Sequence, residues 1–268
     1  MIQGIRKGYV DGPFGQIHYR EAGEGAPLVL LHQSPSSSEM FLEAYPRLAG
    51  HGLHAVGLDT PGFGLSDLPG DVPSIGDYAD ALIAALRGLG LGPVALLGHH
   101  TGASIAAEMA VRAPEQVSRL VLNGPPVLTA EEREHFRTAL ANAPKIGIEA
   151  DGSHLLDLWN RRVFFTPGWS NLKAMHRGVV QMLLAGETEW YGHHAAFAHD
   201  IAEPLARATQ PTLILTNTGD DIYAAVQRAR ELRPDFAYLE LEGGTHDIVD
   251  EQPDAWCEAV ARFVLATP

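Results

Sequence analysis

The sequence has little cysteine, no long apolar run and a shortage of positive charge, and each shortage excludes a class of protein. Its single cysteine, Cys257, excludes an intrachain disulfide and the usual cysteine metal sites. No stretch approaches the roughly 18 consecutive apolar residues of a membrane span, and the N-terminus lacks the apolar region of a signal peptide. We therefore expect a cytoplasmic protein.

The charge balance narrows the choice of partners. The chain has 33 acidic residues against 19 lysines and arginines, which gives a formal net charge of −14 at pH 7. Such a charge disfavours binding to nucleic acid and to anionic membrane surfaces. We expect a small-molecule substrate as the partner, and the oligomeric state, monomer or homodimer, stays open.

Most of the sequence alternates between two patterns. Short apolar runs that are typical of buried parallel strands occur at 27–32, 54–59, 94–97, 119–123, 211–216 and 237–241. Segments with helical spacing lie between them, at about 37–49, 75–89, 103–112, 223–233 and 253–265. A hairpin is predicted at 9–20. The pattern predicts an α/β fold with a mostly parallel sheet and helices on both faces.

The alternation lapses between residues 126 and 207. This stretch is helical in pattern and holds three of the four tryptophans. We predict one core domain formed by residues 1–125 and 208–268, and a helical cap formed by residues 126–207 over the carboxyl ends of the strands.

One stretch carries the strongest functional signal. The apolar run that begins at Val94 reaches Gly98, a second glycine follows at Gly102, and a helix of small residues comes next. The two glycines predict a sharp strand-to-helix turn with His100 at its apex.

This turn resembles the Gly-x-Ser-x-Gly nucleophile elbow of the α/β-hydrolase superfamily, with His100 in place of the serine. The loop at 59–67 is similar to that of capped members such as epoxide hydrolases, haloalkane dehalogenases and ring-cleavage hydrolases. The resemblance covers nearly the whole chain outside the cap and implies an α/β-hydrolase fold. It does not identify the substrate, because this scaffold supports many reactions.

The resemblance also implies an oxyanion hole. The segment that contains His32, Gln33 and Ser34 resembles the family's His-Gly-x-Pro loop, with Gln33 in place of the glycine. Carried over, the backbone N–H groups of Ser34 and Thr101 would bind the negative charge that develops on the substrate.

The remaining catalytic positions follow in the family's order. Asp220, with Asp221 as a close rival, follows a strand where the family keeps its acid, and His246 lies in a loop after the last strand. The resemblance implies a catalytic set of His100, Asp220 and His246. We expect His246 to face His100, with Asp220 hydrogen-bonded to the far nitrogen of His246.

Pocket residues are harder to assign. Candidates are Gln33, His99, Trp159, Phe164, Phe165, Trp169, Trp190 and Tyr191. We expect at least one of these cap aromatics to line the cavity above His100. His99 also suits packing beneath the turn, and His32 suits bracing its loop.

His100 admits two catalytic roles. A neutral imidazole has a free lone pair and can attack a carbonyl to give an acyl-imidazole. Alternatively, His100 and His246 together deprotonate a water molecule or the substrate as general bases. Zinc held by His100, His246, Asp220 and His32 is disfavoured, because the acid and His246 are expected to bind each other. We therefore expect neither metal nor cofactor.

The sequence favours a cofactor-free hydrolase of a small ester, lactone or related carbonyl compound. The alternatives are a lyase, a decarboxylase or a cofactor-independent oxygenase that uses the histidines only for proton transfer. A ligand-binding protein that has lost catalysis is a third class.

Overall fold

An eight-stranded sheet forms the centre of the computed structural model, which describes residues 4–143 and 145–266. The strands are β1 (Arg6–Gly12), β2 (Gly15–Ala22), β3 (Ala26–Leu31), β4 (Leu53–Leu58), β5 (Val94–His99), β6 (Val117–Asn123), β7 (Thr212–Asn217) and β8 (Ala237–Leu241). Their spatial order is β1-β2-β4-β3-β5-β6-β7-β8. β2 pairs antiparallel with β1 and β4, and all other pairings are parallel. The predicted hairpin and mostly parallel sheet are confirmed.

The strand register brings the functional loops to one edge of the sheet. Leu31 at the end of β3 pairs with Gly98 in β5, His99 pairs with Asn123 in β6, and Asn123 pairs with Leu215 in β7. Because these strands run parallel, the loops that follow them emerge side by side.

Helices cover both faces of the sheet. They are α1 (Ala44–Gly50), α2 (Ile75–Gly88), α3 (Thr101–Arg112), α4 (Ala130–Asn142), α5 (Ser153–Phe165), α6 (Leu172–Ala185), α7 (Tyr191–Ala198), α8 (Ala202–Arg207), α9 (Tyr223–Leu232), α10 (Ile248–Glu251) and α11 (Pro253–Val264). α2, α3 and α9 pack in one apolar layer, while α1 and α11 pack in the other. Among the described residues, no helix is both long and apolar enough to cross a membrane.

The first predicted helix differs from the structure. One helix was expected at 37–49, but the chain forms a 3₁₀ turn at Ser38–Phe41 and then α1. Pro46 explains the break, because its ring would clash with the carbonyl of Leu42 and it has no N–H to donate to that group.

The segment between β6 and β7 contains five helices, α4 to α8. Their apolar contacts are modest: a small cluster of Leu158, Val179 and Met182 joins α5 to α6. α7 and α8 instead contribute Ala195, Ala196 and Leu205 to the core layer that includes α2 and α3. The segment is therefore anchored mainly through α7 and α8, with Ala185 at the end of α6 in the same layer, while α5 and α6 also make polar contacts described below.

Asp59, the first residue after β4, ties three parts of the core together. Its fully buried carboxylate accepts hydrogen bonds from Nδ1 of His18 at 2.8 Å, from the backbone N–H of Ser38 at 2.7 Å and from that of Leu65 at 3.0 Å. Burial by itself would raise the pKa of Asp59, but the bond from His18 and the other donors outweigh it and lower the pKa to about 2. The residue is therefore ionised in the folded protein.

Replacing this carboxylate should destabilise the fold. We expect Asp59→Ala to lower the free energy of unfolding in urea at pH 7 by about 3 kcal/mol, because buried donors lose their acceptor. The pKa in the folded protein lies below the ordinary aspartate value of 3.8, so this contribution is present above pH 3.8 and is lost as the pH falls towards 2. The difference in the free energy of unfolding between wild type and Asp59→Ala should therefore shrink as the pH falls through that range. Exposed Asp71→Ala is the control; equal effects of the two substitutions would contradict the assignment.

Candidate active site

The turn between β5 and α3 has a strained backbone at its apex. His100 has φ 48° and ψ −108°, and it is the one non-glycine residue with positive φ in the described part of the chain. Such a conformation costs on the order of 1–3 kcal/mol and persists only where its surroundings impose it. The N–H of His100 donates to the carbonyl of Asn123 at 2.9 Å, which fixes the turn to β6.

The two glycines of the turn are required by close backbone contacts. A Cβ at residue 98 would lie 2.0 Å from the carbonyl oxygen of Gly102, and a Cβ at residue 102 would lie 2.2 Å from that of Leu31. No side chain fits at either position. Close backbone packing therefore requires glycine at both positions, as the sequence suggested.

His100 pairs with Asp220. Nε2 of His100 lies 2.9 Å from Oδ2 of the buried Asp220 carboxylate, whose Oδ1 accepts the N–H of Ile222 at 3.0 Å. Gly124 makes room for the pair, since a Cβ there would lie 2.6 Å from Nε2 and 3.1 Å from Oδ2. Burial by itself lowers the pKa of His100, but the Asp220 charge and hydrogen bond outweigh it and raise the pKa above 6.5. In turn, His100 outweighs burial at Asp220 and holds the pKa of that carboxyl well below its usual range.

The pairing fixes the tautomer of the neutral ring. A carboxylate accepts hydrogen bonds only, so Nε2 of His100 carries the hydrogen and Nδ1 keeps a lone pair. Nε2 and Cδ2 face Gly124 and Asp220, and the residue lines the cavity described below. The arrangement provides an oriented base.

His246 has a different partner from the one expected. Its Nε2 accepts a hydrogen bond from Nη1 of Arg162 at 2.8 Å, and the described residues show no bond from His246 to Asp220 or Asp221. The expectation that Asp220 orients His246 is therefore wrong. An imidazole at the apex is longer than a hydroxyl group and reaches Asp220 itself. Burial lowers the pKa of His246, and the charge of Arg162 adds to this, so the ring is neutral near pH 7.

A cavity of about 210 Å³ opens above the turn and is lined by both His100 and His246. Of the predicted pocket residues, Gln33 and Phe165 line it, together with Ser34 and Asp221. Phe165 is thus the cap aromatic that lies at the cavity with His100. His193 of α7 also lines it, and burial, with the nearby Arg161, lowers the pKa of that imidazole to about 4.

The other predicted pocket residues lie elsewhere in the described structure. His99 is fully buried beneath His100, with the two ring centroids 4.6 Å apart. Phe164 is 77 % exposed, and Trp190 lines a separate surface groove. Trp159, Trp169 and Tyr191 are also absent from the lining of this cavity. Helical spacing alone does not show which way cap side chains face.

Of the two predicted oxyanion donors, Ser34 is among the residues that line the cavity and Thr101 is not. Thr101 is the first residue of α3, where the N–H has no partner within the helix. His32 braces the loop: its Nδ1 lies 2.8 Å from the carbonyl oxygen of Gln33, and its Nε2 accepts the N–H of Thr60 at 2.9 Å. His32 is therefore committed to structure.

Sequence reasoning missed the arginines of α5 and α6. Arg161, Arg162 and Arg177 line the cavity. Each guanidinium has a carboxylate partner: Arg161 has Glu189 at 3.4 Å, Arg162 has Asp247, and Arg177 has Asp250 at 2.5 Å. The adjacent pair Arg161-Arg162, in a chain poor in basic residues, is the signal that the sequence offered.

One group of side chains has the composition of a metal site. Ligand-type atoms of His100, Asp220 and Asp221 lie within 4.8 Å of one another in the described structure. However, His100 and Asp220 already bond each other, so a cation would have to replace that bond. His32 and His246 are not part of the group.

Comparisons with known proteins agree with this fold. The model of the alpha/beta hydrolase fold family matches residues 26–253. The chain is 37% identical to (E)-2-((N-methylformamido)methylene)succinate hydrolase of Acinetobacter baylyi, with 94% of this chain and 95% of that protein covered. It is 36% identical to a haloalkane dehalogenase of Agrobacterium fabrum, with 95% and 93% covered. The crystal structure of E-2-(acetamidomethylene)succinate hydrolase superposes with a TM-score of 0.79 at 22% identity, covering 98% of this chain and 100% of that one.

The glycine contacts of the turn predict a sharp difference between two substitutions. Gly98→Ala should lower the free energy of unfolding by at least about 3 kcal/mol, because its methyl group meets a backbone carbonyl that cannot move aside. Gly50→Ala is the control, since a Cβ there meets no atom within 4 Å. Thermal unfolding followed by circular dichroism measures both, and a Gly98→Ala protein as stable as Gly50→Ala would contradict the packing described.

Proposed function

The chain belongs to the alpha/beta hydrolase fold family and is a hydrolase, and on that premise we propose that His100 activates water to cleave a small carbonyl substrate that bears a carboxylate. The observation that carries the proposal is the 2.9 Å contact between Nε2 of His100 and Oδ2 of Asp220. An imidazole held by a buried carboxylate is a general base with a fixed tautomer and orientation. The catalytic set stays His100, Asp220 and His246, with the acid assigned to His100.

The first step adds water to the carbonyl carbon. The water oxygen forms the new bond to carbon while one water proton moves to Nδ1 of His100, and the carbonyl electron pair moves to the oxygen. Asp220 stabilises the resulting imidazolium through Nε2. In the proposal, the N–H groups of Ser34 and Thr101 bind the oxyanion.

The second step breaks the bond to the leaving group. The electron pair on the oxyanion re-forms the carbonyl, the bond from carbon to the leaving nitrogen or oxygen breaks, and His100 returns its proton to that atom. The products are a carboxylic acid and an amine or alcohol. His100 ends neutral, so the cycle needs no cofactor.

Steric considerations favour water activation over attack by His100 itself. Nδ1 is bonded to Cγ, the ring carbon that is attached to Cβ. The Cβ group hinders the approach of a carbonyl carbon to Nδ1 more than it hinders the approach of a proton. Nε2, the less crowded nitrogen, is occupied by Asp220. An acyl-imidazole at residue 100 remains the alternative that the experiment below tests.

The substrate class is inferred from the cavity. Three guanidinium groups face this small space, and guanidinium binds carboxylate through paired hydrogen bonds. The named substrates of the Acinetobacter relative and of the superposed hydrolase are both substituted succinates, which carry two carboxylates. We therefore propose a substrate with a carboxylate close to the bond that is cleaved, and we propose that residues 126–207 act as its cap.

Substitutions at the base should abolish turnover without unfolding the protein. We expect His100→Ala to lower kcat by about 10²- to 10⁴-fold on p-nitrophenyl hydrogen succinate, because the base is lost. The surface variant His51→Ala is the matched control. Full activity of His100→Ala would overturn the proposal. Intact-mass spectrometry after mixing with the same ester tests the alternative: an acyl adduct mapped to residue 100 would replace water activation by covalent catalysis.

The dependence of kcat/KM on pH should reflect the ionisation of His100 in its pair with Asp220. The base form of His100 exists above its pKa, so kcat/KM should rise with pH through an apparent pKa above 6.5. Asp220→Asn removes the charge that raises this pKa, so the variant should have a lower kcat/KM and an ascending limb at lower pH. Steady-state rates of wild type and Asp220→Asn from pH 5 to 9 measure both effects. If the ascending limb has the same apparent pKa in the two proteins, a group other than His100 titrates.

A further inference from the structure

Arg162 makes an unusual connection between the cap and the catalytic loop. It lies on α5, yet its Nη1 donates to Nε2 of His246 and its Nη2 donates to Oδ2 of Asp247. The same Asp247 lies 3.5 Å from Nε2 of Gln33 on the proposed oxyanion loop. One guanidinium therefore holds α5 against two loops of the site.

The surroundings of Arg162 leave one of its donors free. Its Nε is buried and has no hydrogen-bond partner among the described residues. A Cβ at Gly178 of α6, which also lines the cavity, would lie 2.8 Å from that Nε. Gly178 therefore lets the guanidinium pack directly on α6 with its Nε–H unpaired, and a buried donor without an acceptor costs about 1–3 kcal/mol.

The bond to His246 occupies the lone pair that this ring would use. With Nε2 accepting from Arg162, His246 cannot accept a proton or a hydrogen bond from water at that atom. The observed arrangement is therefore a resting one for His246, although His246 lines the cavity with His100.

We propose that Arg162 is the specificity-determining residue of this site, and that a substrate carboxylate moves its guanidinium away from His246 and so frees that imidazole for catalysis. The inference rests on the proposed function and adds to it the way in which the carboxylate is recognised. Nε is buried against Gly178 in the observed arrangement, so the carboxylate binds at Nε and the neighbouring Nη once the guanidinium has moved. It thereby competes with Asp247 for the same group.

The consequence is that a carboxylate affects turnover as well as binding. A neutral substrate leaves Arg162 on His246, so only His100 serves the attacking water. A substrate with a carboxylate releases Nε2 of His246, which then accepts a second hydrogen bond from that water and holds it in position. Selectivity for the anion is thus expected in kcat, not only in KM.

The test compares p-nitrophenyl hydrogen succinate with its neutral methyl ester in wild type and in Arg162→Met. We expect wild type to prefer the anion, and Arg162→Met to lose about 10- to 100-fold in kcat/KM on the anion, because a charge-assisted hydrogen bond is lost. On the neutral ester the same variant should gain several-fold in kcat, since His246 is free. A loss of equal size on both substrates would overturn the proposal.

Two matched variants separate this role from general effects. Arg177→Met removes another guanidinium of the same cavity that pairs with Asp250 and makes no bond to His246 in the described structure. It should weaken binding of the anion without raising kcat on the neutral ester. Gly178→Ala places a Cβ 2.8 Å from Nε of Arg162, so the guanidinium has to shift and the preference for the anion should fall.

A spectroscopic measurement needs no turnover. Addition of succinate should change the ¹⁵N shift of Nε2 of His246 in wild type and leave it unchanged in Arg162→Met. An unchanged shift in wild type at saturating succinate would contradict the switch. If wild type hydrolyses neither ester while the shift responds, the proposed reaction fails and the switch stands.

Discussion

The close approach of Gly98 to Gly102 is the constraint on which the rest of the site depends. The carbonyl of Gly102 lies where a side chain of residue 98 would begin, and Gly102 itself packs on the carbonyl of Leu31. The chain passes from β5 to α3 through a strained apex, where His100 has φ 48°. Thr101 follows as the first residue of α3, where its N–H has no partner within the helix.

The parts that depend on backbone sterics and hydrophobic periodicity were predictable from the sequence. Strand positions, the hairpin and the glycine turn follow from short-range patterns, and parallel strands bring the loops after β3, β5, β7 and β8 to one edge. The exception within the core, the interrupted first helix, follows from Pro46.

Pairings between side chains were not predictable in the same way. The order of the motifs assigned Asp220 to His246, but the length of the apex side chain decides the partner, and His100 reaches the acid first. The roles of Arg162 and Phe165 depend on how α5 docks, which no local pattern encodes.

The arginines of the cavity are balanced in ion pairs. Arg161, Arg162 and Arg177 each have a carboxylate partner. Such half-buried pairs add little net stability, because desolvation offsets their attraction. They also hold α5 and α6, which have few apolar contacts of their own, against the core. In the proposal made above, a carboxylate that takes over one of these arginines would therefore affect the docking of α5 or α6 as well as the site.

The three imidazoles at the turn show how environment separates their roles. His99 is fully buried, and its two ring nitrogens have no partner among the described residues, so burial holds its pKa well below 6.5 and it stays neutral. His246 also has a lowered pKa, first from burial and then from the charge of Arg162. His100 alone of the three has a raised pKa, because Asp220 outweighs the burial of the ring. Of the three rings, His100 therefore binds a proton most readily, and the other two stay neutral beside it. Asp220, by bonding the apex ring and not His246, makes that distinction.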